Sequence, residues 1–219
     1  MNIEKVKLIT NPVIAKCLCT IRNKYSNSIN LRIAARKIAS ILLYEASKNL
    51  PLDDREIETP ISKCVVKDIS DDISIIISPI LRAGLIFSDN SIDMLPDARI
   101  IHIGMYRDEE TLKPVWYYNK LEDEIKNPNE CFVYITDPML ATGNSMLEAI
   151  KLYVSKNIPI SNIRCISMIS APQGIELIQK EFPEIEIITA SIDEKLNEKG
   201  YIFPGMGDAG DRIFNTVEE

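Results

Sequence analysis

The chain has 219 residues, enough for one α/β domain or two small ones and for a full hydrophobic core. Its composition, 46% hydrophobic and 26% charged, is that of a soluble globular protein, and a net charge of −7 argues against a broad nucleic-acid-binding face, which needs a basic surface. The five cysteines are odd in number with no Cys-x-x-Cys pair, so they read as reduced thiols of a cytoplasmic protein; no apolar run reaches the roughly 18 residues of a membrane span, and no signal peptide is recognisable.

Asn11-Pro12 opens a first helix, with Asn11 at the N-cap, Pro12 at the first helical position and Ile14, Leu18 and Ile21 on the apolar face. A Ser/Asn-rich turn at residues 26–30 leads to a second helix over 31–49. On it, Ile33, Ala34, Ile38, Ile41, Leu42 and Glu45 trace one face, apolar but for Glu45, and Arg32, Arg36 and Lys37 a solvated one. Pro51 stops this helix, and extended pieces at 56–59 and 62–66, split by Pro60, form a small hairpin. Residues 73–78 are a short apolar strand of the kind buried on both faces of a parallel sheet. Residues 99–106 are another core strand and contain His102, the only histidine, whose solitude weakens any Ser-His-Asp or Cys-His scheme. Residues 106–115 are the most highly charged stretch, either a solvated hairpin tip or a mobile lid carrying Arg107 and Lys113. Trp116-Tyr117-Tyr118 returns in extended form, which predicts a flexible two-stranded β flap over 106–121. Strands at 131–136, 163–170 and 185–192 alternate with helices at 145–153 and 172–182. That order predicts an α/β fold with an open, mostly parallel doubly wound sheet that binds ligands beyond the carboxyl ends of its strands. No repeat, low-complexity tract or linker interrupts it.

Two loops lie at such strand ends. Asp137-Pro138-Met139-Leu140-Ala141-Thr142-Gly143-Asn144-Ser145 sets an acid and small residues ahead of a helix, whose first-turn N–H groups and dipole favour an anion. The acid can accept hydrogen bonds from sugar hydroxyls, so the loop reads as a site for a ribose 5-phosphate. Pro79-Ile80-Leu81-Arg82-Ala83-Gly84 carries one charge, Arg82, whose planar guanidinium either binds pyrophosphate or pairs with a neighbouring acid. Near the end, residues 200–212 hold four of the chain's eight glycines without any periodicity. This mixture predicts a tightly folded loop whose backbone N–H and C=O groups read a flat heterocycle.

Four segments, in this order, closely resemble uracil phosphoribosyltransferases: Ile80-Leu81-Arg82-Ala83-Gly84-Leu85; Tyr106-Arg107-Asp108-Glu109-Glu110-Thr111-Leu112-Lys113-Pro114; Asp137 to Gly143 with Ser145; and Gly205-Met206-Gly207-Asp208-Ala209-Gly210-Asp211-Arg212. Similarity runs over residues 31–214. The resemblance implies one phosphoribosyltransferase domain over 1–219, with a core at 31–192, the flap at 106–121 and a C-terminal, uracil-binding hood loop at 193–214. It implies conversion of uracil and 5-phospho-α-D-ribose 1-diphosphate (PRPP) to UMP and diphosphate in pyrimidine salvage. By the same resemblance Arg82, Arg107, Asp137, Pro138, Met139, Leu140, Ala141, Thr142, Gly143, Asn144, Ser145 and Asp208 would bind PRPP. Ile202, Gly207, Asp208 and Ala209 would bind uracil, and Arg107, Asp137 and Asp208 would be the catalytic residues. Mg²⁺ would be the cofactor, held with PRPP rather than by direct protein ligands. The family also implies a homodimer or homotetramer and GTP as a possible effector, with neither a nucleic-acid nor a membrane partner.

The sequence departs from the family pattern at a few positions. Asn144 stands where a second glycine is usual; Asn tolerates a left-handed backbone, so the turn survives, or its side chain crowds the phosphate. Ile86 and Asn90 replace glycines often seen after the Arg82 loop, a change of local packing. Pro138 follows Asp137 where many other phosphoribosyltransferases carry a second acid, which is the uracil family's own pattern. Two other readings compete: a nucleotide sensor that keeps the fold without turnover, favoured by Asn144 alone, and a transferase for a different base such as hypoxanthine or orotate.

Overall fold

The structure, a computed structural model, describes residues 3–107 and 114–216. Strand β1 (Val6–Leu8) precedes helix α1 (Pro12–Arg22), whose N-cap Asn11 accepts a 2.8 Å hydrogen bond from the Ile14 N–H. Helix α2 (Ser28–Ser47) is capped in the same way, by Asn27 accepting from the Asn30 N–H at 2.9 Å. Strands β2 (Leu52–Glu58) and β3 (Lys63–Ile69) form the expected hairpin, longer than its apolar residues suggest. Then come β4 (Ser74–Leu81), α3 (Ser88–Met94), β5 (Arg99–Ile100), β6 (Ile103–Arg107) and β7 (Pro114–Asn119). The second half contains β8 (Cys131–Thr136), β9 (Met139–Leu140), α4 (Asn144–Ser155), β10 (Ile163–Ser170), α5 (Pro172–Glu181) and β11 (Glu186–Ile192). The short hairpin β12 (Lys195–Leu196) and β13 (Ile202–Phe203) and the helix α6 (Ala209–Phe214) follow.

The main sheet has the order β1-β11-β10-β8-β4-β6-β7, with β5 and β9 as short additions beside β4 and β10. All its pairings are parallel except β6 with β7. Side chains alternate between its faces. Ile75, Ile77 and Tyr134 join the core under α1 and α2, while Ile76, Val133 and Ile135 join the core under α4 and α5. Burial on both faces is what makes these strands read as continuous apolar runs, and it confirms the doubly wound architecture. β1 and α1 extend the sheet and the core ahead of residue 31.

Two local expectations change. The buried face of α2 is Leu31, Ala34, Ala35, Ile38, Ala39, Leu42, Leu43 and Ala46, whereas Ile33 is half exposed and Ile41 only partly buried. Four alanines let the helix approach the sheet closely, so the buried stripe is rotated from the one its isoleucines mark. The single strand expected at 99–106 is split into β5 and β6, although both hold one register against β4: Ile77 pairs with Ile100 and Ile80 with Ile103. Between them the Ile101 N–H donates to Ile77 O at 2.9 Å. The return donor due from residue 79 is absent because it is proline. Ser78 Oγ donates to Ile101 O instead, at 3.1 Å, and itself accepts from Tyr153 Oη at 2.7 Å. His102 sits at this gap, 3.4 Å from Ser88 Oγ, a structural position.

The order of strands places the ligand crevice. After β4 the chain crosses to β6 on one side; after β8 it crosses to β10 on the other. β4 and β8 are neighbours, so the loops leaving them diverge from a topological switch point, where open α/β sheets bind ligands.

Candidate active site

The loop after β8 is laid along β10. The Asp137 N–H donates to Ile166 O at 3.1 Å, the Met168 and Ile169 N–H groups both donate to Pro138 O at 3.0 Å, and the Ala171 N–H donates to Leu140 O at 2.8 Å. Asp137 is thereby fixed at the carboxyl end of β8. Its Oδ1 accepts the Met139 N–H at 3.1 Å. Burial pushes its carboxyl up to about 7, and that one backbone hydrogen bond only partly opposes the effect.

The loop turns at Gly143, whose φ of +83° lies in the left-handed region. A Cβ there would sit 2.7 Å from Gly174 O at the start of α5, so the close packing of loop on helix requires glycine. Asn144 needs no left-handed backbone; it is the first helical residue of α4. It is absent from the lining of the loop's cavity, so its side chain does not crowd that space. No side chain caps α4 at Gly143, which leaves first-turn N–H groups directed at the loop.

The hood supplies the other wall. Asp208 is the N-cap of α6, its Oδ1 accepting the Asp211 N–H at 3.0 Å. A cavity of about 400 Å³ lies between Asp137, Met139 and Ala141 on one side and Ile202, Gly207, Asp208 and Ala209 on the other. A second lobe of about 180 Å³ is lined by Leu140, Thr142, Gly143 and Ser145 and shares Asp137, Met139, Ala141 and Gly200 with the first. The structure therefore brings together the phosphate-type loop and the four residues expected to hold the base. Pro138 is buried and lines neither lobe. A larger cavity, about 510 Å³, lies at the amino-terminal end of β4 beside the β2–β3 hairpin. Its Arg55 is paired with Asp68 and Asp71, and its Arg99 with Glu122, and it lies at the opposite end of the sheet from the two loops.

Arg82 stands beside α6 rather than in the cavity lining. It forms a 2.6 Å ion pair with Asp211, donates to Thr216 Oγ1 at 3.3 Å and lies 5.8 Å from the Phe214 ring. Hydrogen bonds from Thr216 and Arg82 hold the Asp211 carboxyl below the usual carboxylate range. The sequence left Arg82 either an anion or an acid as partner; the structure pairs it with the acid. Arg107 ends β6 with its backbone paired to Pro114, and its side chain and the rest of the lid, residues 108–113, lie outside the described residues. Lys199 and Tyr201 also line the larger lobe. They were not singled out in the sequence, where the only signal is that they flank Gly200, the first hood glycine.

A family model described as uracil phosphoribosyltransferase matches residues 8–216. A uracil phosphoribosyltransferase from Lactococcus lactis is 45% identical over 213 residues, covering 97% of this chain and 99% of the relative. A solved structure of a protein from Aquifex aeolicus has a TM-score of 0.88 at 33% identity and covers 98% of this chain and 100% of its own. The adenine phosphoribosyltransferase of Trypanosoma brucei, solved in complex with AMP, pyrophosphate and ribose-5-phosphate, has a TM-score of 0.55 at 12% identity over 86% of this chain and 84% of its own, a likeness of fold alone. With the sheet order, the cleft at the switch point and these matches agreeing, the chain belongs to the uracil phosphoribosyltransferase family.

Proposed function

We propose that this protein transfers the phosphoribosyl group of PRPP to uracil, giving UMP and diphosphate in pyrimidine salvage. The observation that carries the reading is the two-lobed cavity, which sets an acid-plus-phosphate loop against a glycine-rich backbone wall. The 5-phosphate belongs in the lobe of Leu140, Thr142, Gly143 and Ser145, before the free N–H groups of α4. Asp137 accepts hydrogen bonds from the ribose hydroxyls. Uracil lies against Ile202 and the backbone of Gly207, Asp208 and Ala209. Its carbonyls and N–H groups meet complementary backbone groups there, and cytosine would set its amino group against a donor.

Displacement at the anomeric carbon develops oxocarbenium character while diphosphate departs with negative charge. The chain's task is thus to hold the sugar and to neutralise the leaving group, more than to supply a nucleophile. Arg82 and Arg107 are assigned to the diphosphate, Arg82 by exchanging Asp211 for it. Among the described residues no cluster of three or more His, Cys, Asp or Glu side chains forms a metal cage. The carboxylates at the cleft, Asp137 and Asp208, suit a hard cation that keeps its waters and arrives on a diphosphate. We therefore assign Mg²⁺ to PRPP with Asp208 beside it; bound there, it supplies countercharge for the leaving diphosphate. The flap formed by β6 and β7 is assigned the exclusion of water from the sugar.

The proposal extends to a homodimer or homotetramer and to GTP as effector. Exposed Leu52, Ile57, Ile61 and Val65 on the β2–β3 hairpin support assembly through that element, and light scattering with and without GTP tests both. A cytoplasmic location accords with the free cysteines and with the lack, among the described residues, of any helix long and apolar enough to cross a membrane. The deciding assay mixes purified protein with labelled uracil, PRPP and Mg²⁺. UMP formation is expected; uracil binding without UMP would overturn the enzyme reading, and turnover of hypoxanthine or orotate alone would overturn the base.

A further inference from the structure

Two arginines tie the hood to the end of α1, and neither touches the cavity. Arg22, the last residue of α1, forms a forked ion pair with Asp193, Nη1 to Oδ2 at 2.7 Å and Nη2 to Oδ1 at 2.5 Å. Arg22 Nη1 also donates to Gly205 O at 2.8 Å, and the Gly205 N–H donates to Asp193 Oδ2 at 2.8 Å. Both backbone groups of Gly205 are therefore caught by one ion pair. Ser191 completes the ring, accepting from Arg22 at 2.9 Å and donating to Asp193 Oδ1 at 2.9 Å. The second arginine, Arg212, reaches from α6 to Ile21 O at 2.6 Å and Asn23 O at 2.7 Å, carbonyls at the open end of α1, and also donates to Met206 O. The carbonyls of Gly205 and Met206, the two residues just before Gly207, are thus each held by an arginine.

We propose that Arg22 and Asp193 are positioning residues for base recognition, acting with Arg212 as a clasp that sets the backbone of Gly207 to Ala209. The proposal rests on the assignment of those residues to uracil. A merely structural ion pair would have no need to engage the backbone of a loop that lines the cleft. The Asp193 side chain is only 3% exposed, so its charge depends on Arg22 rather than on water. Burial opposes its ionisation, yet the hydrogen bonds of Arg22, Gly205 and Ser191 and the Arg22 charge hold its carboxyl below the usual range. Gly205 is closely packed as well: its φ is +58°, and a Cβ would lie 2.2 Å from Ile202 O, so a displacement of its backbone is felt at Ile202. Ile202 in turn lines the cavity. A shift at Gly205 therefore reaches the base wall at both Ile202 and Gly207, while the phosphate lobe, built on β9 and α4, is left alone.

The test compares the full chain with Arg22→Ala and Asp193→Asn. Each variant is expected to raise KM for uracil about tenfold or more, the scale of one lost charge-assisted hydrogen bond, with KM for PRPP within about twofold. Added guanidinium ion at millimolar concentration should restore the uracil KM of Arg22→Ala, and the same concentration of sodium should not. Equal rises in both KM values, a fall in kcat with uracil KM unchanged, or no change at all would overturn the proposal. Should Arg22→Ala fail to fold, the nearly isosteric Asp193→Asn decides, read also by hydrogen exchange at the Gly205 amide, which should accelerate. Unchanged exchange there would overturn the clasp. If the unmodified protein neither binds nor converts uracil, the assignment of the base fails instead, and the exchange measurement still reports on the clasp by itself.

Discussion

Asp137→Asn should make the protein more stable above neutral pH and nearly inactive. The carboxyl is held at the end of β8 with one hydrogen bond, and burial lifts it from an ordinary 3.8 to about 7. Between those values the folded protein keeps a proton that the unfolded chain releases. Raising pH through that window therefore removes stability, and the loss is complete above about pH 7. At 1.36 kcal/mol per pKa unit the gap corresponds to a ceiling of about 4 kcal/mol. Asp137 faces the cleft, where water screens part of that penalty, so a gain of about 1–3 kcal/mol is expected for asparagine at pH 8. For a chain of this length that is a rise in Tm of roughly 3–9 °C. Thermal melts of both proteins at pH 5 and pH 8 would read it. The gain should be small at pH 5 and grow toward pH 8, while UMP formation at pH 8 falls by at least about tenfold for want of a charged acceptor for the ribose hydroxyls. A gain in Tm equal at both pH values, or a variant less stable at pH 8, would refute the reasoning, because the carboxylate would then ionise in the fold without penalty.

Three further substitutions probe the rest of the cleft. Gly143→Ala forces a side chain onto a φ of +83° and to within 2.7 Å of Gly174 O; urea unfolding should show a loss of about 1–3 kcal/mol, and KM for PRPP should rise. Arg82→Ala should raise KM for PRPP more than about tenfold while KM for uracil stays within about twofold, a split that steady-state kinetics resolves directly. Asn144→Gly should leave both KM values within about twofold and lower stability by no more than about 1 kcal/mol, the helix preference of asparagine over glycine; a large kinetic loss would mean that the side chain reaches the phosphate after all.

The sheet strands were legible because burial on both faces leaves a run of isoleucines that no surface segment would carry. The α2 face is hidden in the sequence because alanine carries little hydrophobic signal yet permits the closest approach; Ile33 and Ile41 carry a stronger signal than the buried Ala35 and Ala39. The break at residues 101–102 was invisible because it arises in the partner strand, from the missing donor of Pro79. β1 and β9, three and two residues long, are too short for any periodicity to show. In the cleft, local signals marked the loop at 137–145 and the hood. Asn144 looked like a departure in a turn, but the turn falls one residue earlier, on Gly143. Arg22 and Asp193 left no mark, because they lie 171 residues apart and meet only in the folded chain.

The same long reach bears on how the protein is made. The anchor at Ile21 and the arginine that seizes it, Arg212, are separated by 191 positions, almost the whole polypeptide. A ribosome releases the sheet, the 137–145 loop and the acid at Asp137 well before the residues that close the hood. A nascent chain that has folded its core still lacks the contacts that set Gly207 to Ala209, the residues proposed to hold uracil. The bonds that hold the carbonyls of Gly205 and Met206 therefore close only after the sheet and the 137–145 loop have been made.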